Sequence, residues 1–189
     1  MRVIAGIYKG RKLEAPRGDA VRPTTDRVKE AMFSMIADRV PGAVCLDLFA
    51  GSGALGIEAL SRGAAKVYFC DTSARWVRAN AGAIVQGPQR GQGGGQVIVI
   101  QADWRRAIAR VAQNCNEKVN IVFIDAPYKL CEHYPYMLEA LLKEGVLADG
   151  ACVVIERDAK QEGYLQALPP TLWLAKTRRY GNTAVDVLA

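Results

Sequence analysis

Asp47-Leu48-Phe49-Ala50-Gly51-Ser52-Gly53-Ala54-Leu55-Gly56 is the stretch that decides how this chain is read. It follows a short apolar run, which predicts a buried strand, and it opens a helical pattern. Glycine lets the backbone turn sharply and approach a ligand closely. The start of the following helix offers unpaired N–H groups to an anionic group. The spacing of Gly51, Gly53 and Gly56 satisfies the dinucleotide fingerprint G-x-G-x-x-G, a weak signal by itself. Asp47 tilts the reading. A carboxylate four residues before the first glycine meets a ligand ammonium well and a pyrophosphate badly. The amino-acid end of S-adenosylmethionine carries an ammonium and a carboxylate, which suit Asp47 and the loop amides respectively. Phe49, Gly51, Ser52 and Gly53 are the loop residues expected to touch that cofactor.

Outward from this loop the pattern alternates. Val- and Ile-rich runs predict strands near 43–48, 66–70, 97–101, 119–124 and 151–155. Helical segments fall near 54–62, 73–85, 103–113 and 134–143. Such alternation predicts an α/β fold with a doubly wound, mostly parallel sheet and helices on both faces. Runs near 171–177 and 183–188, joined through Tyr180-Gly181-Asn182, predict a C-terminal antiparallel hairpin and bring the sheet to seven strands. At the front, residues 2–14 alternate loosely around Lys9-Gly10 as a short hairpin. Thr24-Thr25-Asp26 then caps a helix whose apolar positions are Val28, Ala31, Met32, Met35 and Ile36. The reading is one domain over 1–189: a basic extension and helix over 1–40 and a catalytic core over 41–189. Gln86–Gln96, with five glycines, reads as a flexible connection.

Strand ends supply further acids on the edge where such sheets bind ligands. Asp71 ends the second strand and suits ribose hydroxyls, a position nicotinamide enzymes share. Asp103 follows the third and suits an adenine amine, or else caps the next helix. Trp104 beside it suits an adenine face, or else the core.

The fourth strand runs into Asp125-Ala126-Pro127-Tyr128 on the same edge. This tetrapeptide resembles the D/N-P-P-Y/F/W signature of amino-methyltransferases. The chemistry accounts for the signature. An exocyclic amine is a poor nucleophile because its lone pair is delocalised into the ring. Two acceptors at its hydrogens, the Asp125 carboxylate and the Ala126 carbonyl, favour a more tetrahedral nitrogen. Tyr128 stacks on the base. Positioning and electrostatics do the work. The chain departs from the signature at Ala126, where proline is usual. Pro127 still biases Ala126 towards an extended conformation, and the expected loss is rigidity rather than a catalytic group.

Bulk properties point to a polyanionic partner. The net charge is +6, and residues 1–29 hold eight cations against three acids. A basic arm of this kind suits a nucleic acid, with a solvated tail as the bland alternative. Five cysteines, at 45, 70, 115, 131 and 152, form no C-x-x-C pair, and His133 is the sole histidine, so no metal centre is expected. No run approaches a membrane span, which makes a soluble cytoplasmic protein the expectation.

R-P-T-T-D-R-V-K-E at 22–30, the long glycine-loop segment 47–64 and the opening R-V-I-A-G-I-Y-K-G-R-K-L together look like the bacterial 16S ribosomal RNA guanine-N2 methyltransferases of the RsmD type. The similarity runs nearly end to end; Ala126 and the 86–96 connection depart from it. The resemblance implies a Rossmann-like class I methyltransferase fold and a guanine in small-subunit rRNA as substrate. It further implies presentation within a partly assembled particle and a mostly monomeric enzyme. It also places residues 22–27 close to the cofactor, making Thr24 a cofactor candidate. Arg2, Lys9, Arg11, Lys12, Arg22, Arg27, Arg178 and Arg179 are the candidates for phosphate contact. The alternatives are methylation of DNA or RNA adenine or of a protein glutamine, a nicotinamide-dependent oxidoreductase, and an RNA-binding assembly factor with a weak site.

Overall fold

The computed structural model describes residues 1–15, 26–85, 94–114 and 117–189. The cap expected at Thr24-Thr25, the site candidates Arg22 and Thr24, and most of the 86–96 connection lie outside the described residues.

Helix α1 spans Asp26–Met35, and strand β1 (Val44–Asp47) leads through the glycine loop into α2 (Ala54–Ser61). Then follow β2 (Lys66–Asp71), α3 (Arg75–Val85), β3 (Gln96–Gln101), α4 (Trp104–Asn114) and β4 (Val119–Ile124). Helix α5 (Tyr134–Lys143), β5 (Leu147–Asp158), β6 (Leu174–Tyr180) and β7 (Thr183–Leu188) complete the chain. The strands form one sheet in the order β3-β2-β1-β4-β5-β7-β6. The first five are parallel, and β7 lies antiparallel between β5 and β6.

The doubly wound layering follows from the strand sequences. All four residues of β1 are buried, so neither face can meet solvent. Cys45, Phe69, Phe123 and Val154 pack with α1, α2, α3 and the N-terminal arm on one face. Leu46, Tyr68, Val122 and Ile155 pack with α4 and α5 on the other. Gly56 faces β2 so closely that an added Cβ would lie 2.3 Å from the Phe69 ring, so the third glycine of the motif sets the approach of helix to sheet.

Three expectations change in detail. Strand β5 begins at Leu147 rather than near 151, because Leu147 pairs with Val119 before a register shift. Strand β6 begins at Leu174 rather than 171, since Pro169 closes a turn with the Leu172 N–H at 2.9 Å. The N-terminal hairpin reduces to one antiparallel bridge between Arg2 and Lys12. Its turn is closed by the Lys9 N–H on the Gly6 carbonyl. The Val3 and Leu13 N–H groups pair across it, on the Arg11 and Met1 carbonyls at 2.9 and 3.1 Å, and four further amides are spent on α2. Ile4 and Ala5 donate to the Glu58 carboxylate at 2.8 and 3.0 Å, Ile7 to the Ser61 carbonyl at 2.8 Å and Tyr8 to Ser61 Oγ at 2.9 Å.

Candidate active site

The strand order reverses between β1 and β4, the switch point at which open α/β sheets bind ligands. The glycine loop leaves β1 and Asp125-Ala126-Pro127-Tyr128 leaves β4, so the two signatures flank the switch. The register locks them side by side. Asp47 pairs with Phe123, and the Leu48 N–H donates to the Phe123 carbonyl at 3.0 Å. Asp125 lies two residues beyond Phe123 and therefore on the same sheet face as Asp47.

Within the glycine loop, Gly51 and Gly53 both adopt left-handed φ values, +53° and +82°. They differ in surroundings. A Cβ on Gly53 would meet Val77 at 2.9 Å, whereas one on Gly51 would meet nothing within 4 Å. Gly51 thus borders open space, as a cradle for a ligand requires. Two acids brace the loop from below. The Gly56 N–H donates to Asp47 Oδ2 at 2.9 Å and the Gly51 N–H to Asp71 Oδ2 at 2.8 Å. Sequence reasoning cast both acids as ligand groups and missed this bracing, which depends on how the loop folds back.

Asp47 is fully buried. Desolvation is the main cause that pushes its carboxyl up to about 7, against the Gly56 hydrogen bond and with help from the nearby Asp125 and Asp71 charges. Three carboxylates thus share one edge of the sheet. Such a rim fits a cationic ligand and rejects a pyrophosphate. The loop, with its open Gly51, fits the amino-acid end of S-adenosylmethionine.

Asp71 also accepts from the Ser73 N–H at 2.9 Å, leaving it half-buried at the loop mouth. Asp103 takes the capping role: its Oδ1 accepts from the Arg105 and Arg106 N–H groups at 3.0 and 3.3 Å. Trp104 is a core residue at 8 % exposure, and the Arg105 guanidinium stacks 4.3 Å from its ring centroid. Phe49 is half-buried, packed on the α4–α5 side of the sheet. Ser52 is buried, and its hydroxyl meets the Met1 sulfur at 3.3 Å.

After β4, Asp125 and Tyr128 are half-buried, Pro127 is exposed and Ala126 is buried in the α4–α5 core at 3 % exposure. Pro127 has φ −51° and ψ 136°, and its carbonyl accepts from the Leu130 N–H at 2.8 Å. That bond starts a 3-10 helix over Tyr128–His133, which the sequence reading did not anticipate. Packing thus restrains Ala126 from one side and a closed turn from the other.

The cations are not all available to a polyanion. Lys9, Lys12, Arg27 and Arg178 are exposed, and Arg11 is half-buried. Arg2 pairs with Asp26 at 2.8 Å, and Arg179 pairs with Glu162. Lys29, counted with the arm, is fully buried against Glu58 at 3.3 Å and donates to the Arg2 carbonyl at 2.6 Å. Strand register carries Arg179 and Tyr180 to the catalytic edge, beside Thr183 and the end of β5. That end is braced by a buried ion pair, Arg157 Nε to Asp186 Oδ2 at 2.6 Å, which the Tyr164 hydroxyl joins at 2.7 Å. Among the described residues no helix is long and apolar enough to cross a membrane.

Comparison with known proteins agrees with this geometry. The family described as "Conserved hypothetical protein 95" matches residues 1–189. Ribosomal RNA small subunit methyltransferase D of Escherichia coli strain K12 is 36% identical over 186 residues, covering 97% of this chain and 87% of that protein. The putative rRNA methyltransferase YlbH of Bacillus subtilis strain 168 is 38% identical over 194 residues, covering 99% and 97%. A solved structure of a putative methyltransferase, yhhF from Escherichia coli, superposes with a TM-score of 0.80 at 33% identity, covering 100% of this chain and 96% of that one. With a full-length family match and relatives of this similarity on a class I methyltransferase fold, the chain belongs to the conserved hypothetical protein 95 family, to which the RsmD-type resemblance of its motifs had pointed.

Proposed function

We propose that this protein methylates the exocyclic N2 amine of a guanine in 16S ribosomal RNA, with Asp125, Ala126, Pro127 and Tyr128 forming the catalytic loop. Family membership makes it an S-adenosylmethionine-dependent rRNA methyltransferase. The base, the atom and the residues are our reading. One observation carries it: Asp125 and the glycine loop meet at the switch point, in register through Asp47 and Phe123.

S-adenosylmethionine supplies a methyl group already activated by its sulfonium. The protein's part is to hold the amine. The Asp125 carboxylate accepts a hydrogen bond from it, the Ala126 carbonyl a second, and the Tyr128 ring stacks beneath the base. The amine proton leaves towards Asp125 as the new bond forms. A guanine's Watson–Crick edge presents an amine beside a ring N–H, two donors in a row that an acceptor-only carboxylate matches. The burial of Ala126 supplies restraint that proline would otherwise give. Asp47, Asp71 and the open backbone at Gly51 hold the cofactor, with the Gly51 and Gly53 N–H groups bracing the loop on Asp71 and the Ala50 carbonyl at 2.8 and 2.6 Å, and the exposed cations, Arg178 and the arm lysines among them, hold phosphates. The substrate is 16S rRNA within a small-subunit assembly intermediate in the cytoplasm, and the enzyme acts as a monomer.

Asp125→Ala should lose methyl transfer by about two to four orders of magnitude while binding S-adenosylhomocysteine within a few-fold of wild type. Transfer at the wild-type rate would remove Asp125 from the mechanism.

A further inference from the structure

Asn80 stands on α3, and no role was evident for it in the sequence. Its side chain is buried, at 5 % exposure. Among the described residues its side chain makes three hydrogen bonds, all to backbone. Nδ2 donates to the Ser52 carbonyl and to the Glu14 carbonyl, each at 2.8 Å, and Oδ1 accepts from the Glu14 N–H at 2.9 Å. Ser52 is the central residue of the glycine loop. Glu14 lies on the docked arm. A single carboxamide therefore ties the two together.

The chemistry demands an amide. Two carbonyls face Nδ2, so that atom must bring two donors, and the Glu14 N–H needs an acceptor on the same planar group. A carboxylate of the same shape would set negative oxygen against two carbonyls. A hydroxyl could not reach three groups. The Ser52 carbonyl belongs to the peptide whose N–H, from Gly53, donates to the Ala50 carbonyl at 2.6 Å, so fixing that carbonyl sets the turn of the glycine loop before α2. A second link runs parallel: the Ser52 hydroxyl donates to the Met1 sulfur at 3.3 Å. The arm thus reaches the loop through Met1 and, by way of Asn80, through Glu14.

We infer that Asn80 is a positioning residue that makes the N-terminal arm part of the cofactor site. It sets the turn of the glycine loop through Ser52 and couples cofactor binding to arm docking through Glu14. The inference rests on the reading of the glycine loop as the cofactor site.

The test uses the full chain and S-adenosylhomocysteine as probe. Asn80→Ala and Asn80→Asp should raise the KM for S-adenosylmethionine by about tenfold, the loss expected when buried hydrogen-bonding partners are left unpaired. At saturating cofactor, kcat should stay within about threefold and the KM for ribosomal particles should not move. In wild type, S-adenosylhomocysteine should slow hydrogen exchange at the arm amides of Val3, Gly10 and Leu13; in Asn80→Ala that protection should vanish while exchange in the loop still responds. An unchanged cofactor KM, or equal arm protection in the variant, overturns the inference. If the variants fail to fold, wild type alone decides, because absence of arm protection on binding overturns it equally. Gly51→Val separates the two readings. If it binds S-adenosylhomocysteine like wild type, the glycine loop is not the cofactor site. If it loses binding while Asn80→Ala keeps it, the Asn80 inference alone fails.

Discussion

A carboxyl group with its burial and its neighbours against it explains much of this site. Asp47 titrates at about 7 in the folded protein, well above the ordinary aspartate range that it has when unfolded. The sign follows from proton binding. Between about pH 4 and pH 7 the unfolded chain has released this proton and the folded one still holds it, so stability falls as pH rises through that window and levels off above it. Relative to Asp47→Asn, the wild-type protein without cofactor should therefore lose unfolding free energy from pH 4 to pH 7 in urea titrations; a pH-independent difference would contradict the assignment. An ammonium beside Asp47 favours the charged form, so cofactor binding should release a proton near neutral pH. Position was legible here and partnership was not. The sequence placed Asp47, Asp71 and Asp103 at strand ends. Which of them brace a loop or cap a helix depends on backbone N–H directions that no residue spacing reveals. Asp103 was open to both readings, and its cap is what forms.

At the level of elements, α2 explains why the arm is docked. All eight of its residues are buried, including Glu58 and Ser61. Glu58 takes two backbone N–H bonds from the arm, the Lys29 ammonium and the Arg62 guanidinium at 2.9 Å. Removing that carboxylate leaves Lys29 buried without its counter-charge. Burial already lowers the Lys29 pKa, against the pull of Glu58. Glu58→Ala should cost about 3–5 kcal/mol in chemical denaturation and should expose the arm to proteolysis. A loss below 1 kcal/mol with the arm still protected would contradict the clamp. The five parallel strands were readable as short Val- and Ile-rich runs, and the antiparallel β6–β7 pair, with its exposed edge strand, from the turn at Tyr180-Gly181-Asn182. The docked arm was not, since Glu58 and Ser61 pass for the wet side of an amphipathic helix. The clue was their company: polar residues within the apolar run Ala54-Leu55-Gly56-Ile57-Glu58-Ala59-Leu60-Ser61 need partners once buried.

For the whole molecule, the count of 25 lysines and arginines overstates what RNA can meet, because Lys29 and Arg157 are buried in ion pairs, while the +6 balance is untouched since each pair also buries an acid. Arg178 and Arg179 lie on the exposed edge strand, whose far end adjoins the catalytic edge. Replacing both by alanine should weaken rRNA binding and reduce the slope of log K against log salt by about one to two, with cofactor affinity unchanged. An unchanged slope would place RNA elsewhere. The arm shares its core with α1, α2 and the sheet, which favours reading 1–189 as one folding unit.

In the mechanism proposed, Asp125 directs a methyl group to the N2 amine of a guanine in small-subunit rRNA. The most direct test is nucleoside mass spectrometry on small-subunit particles from a strain lacking the protein, incubated with labelled S-adenosylmethionine and either wild type or Asp125→Ala. Wild type should yield labelled N2-methylguanosine at one position, and the variant none. Label in an adenosine or a protein, or equal labelling by the variant, would contradict that mechanism.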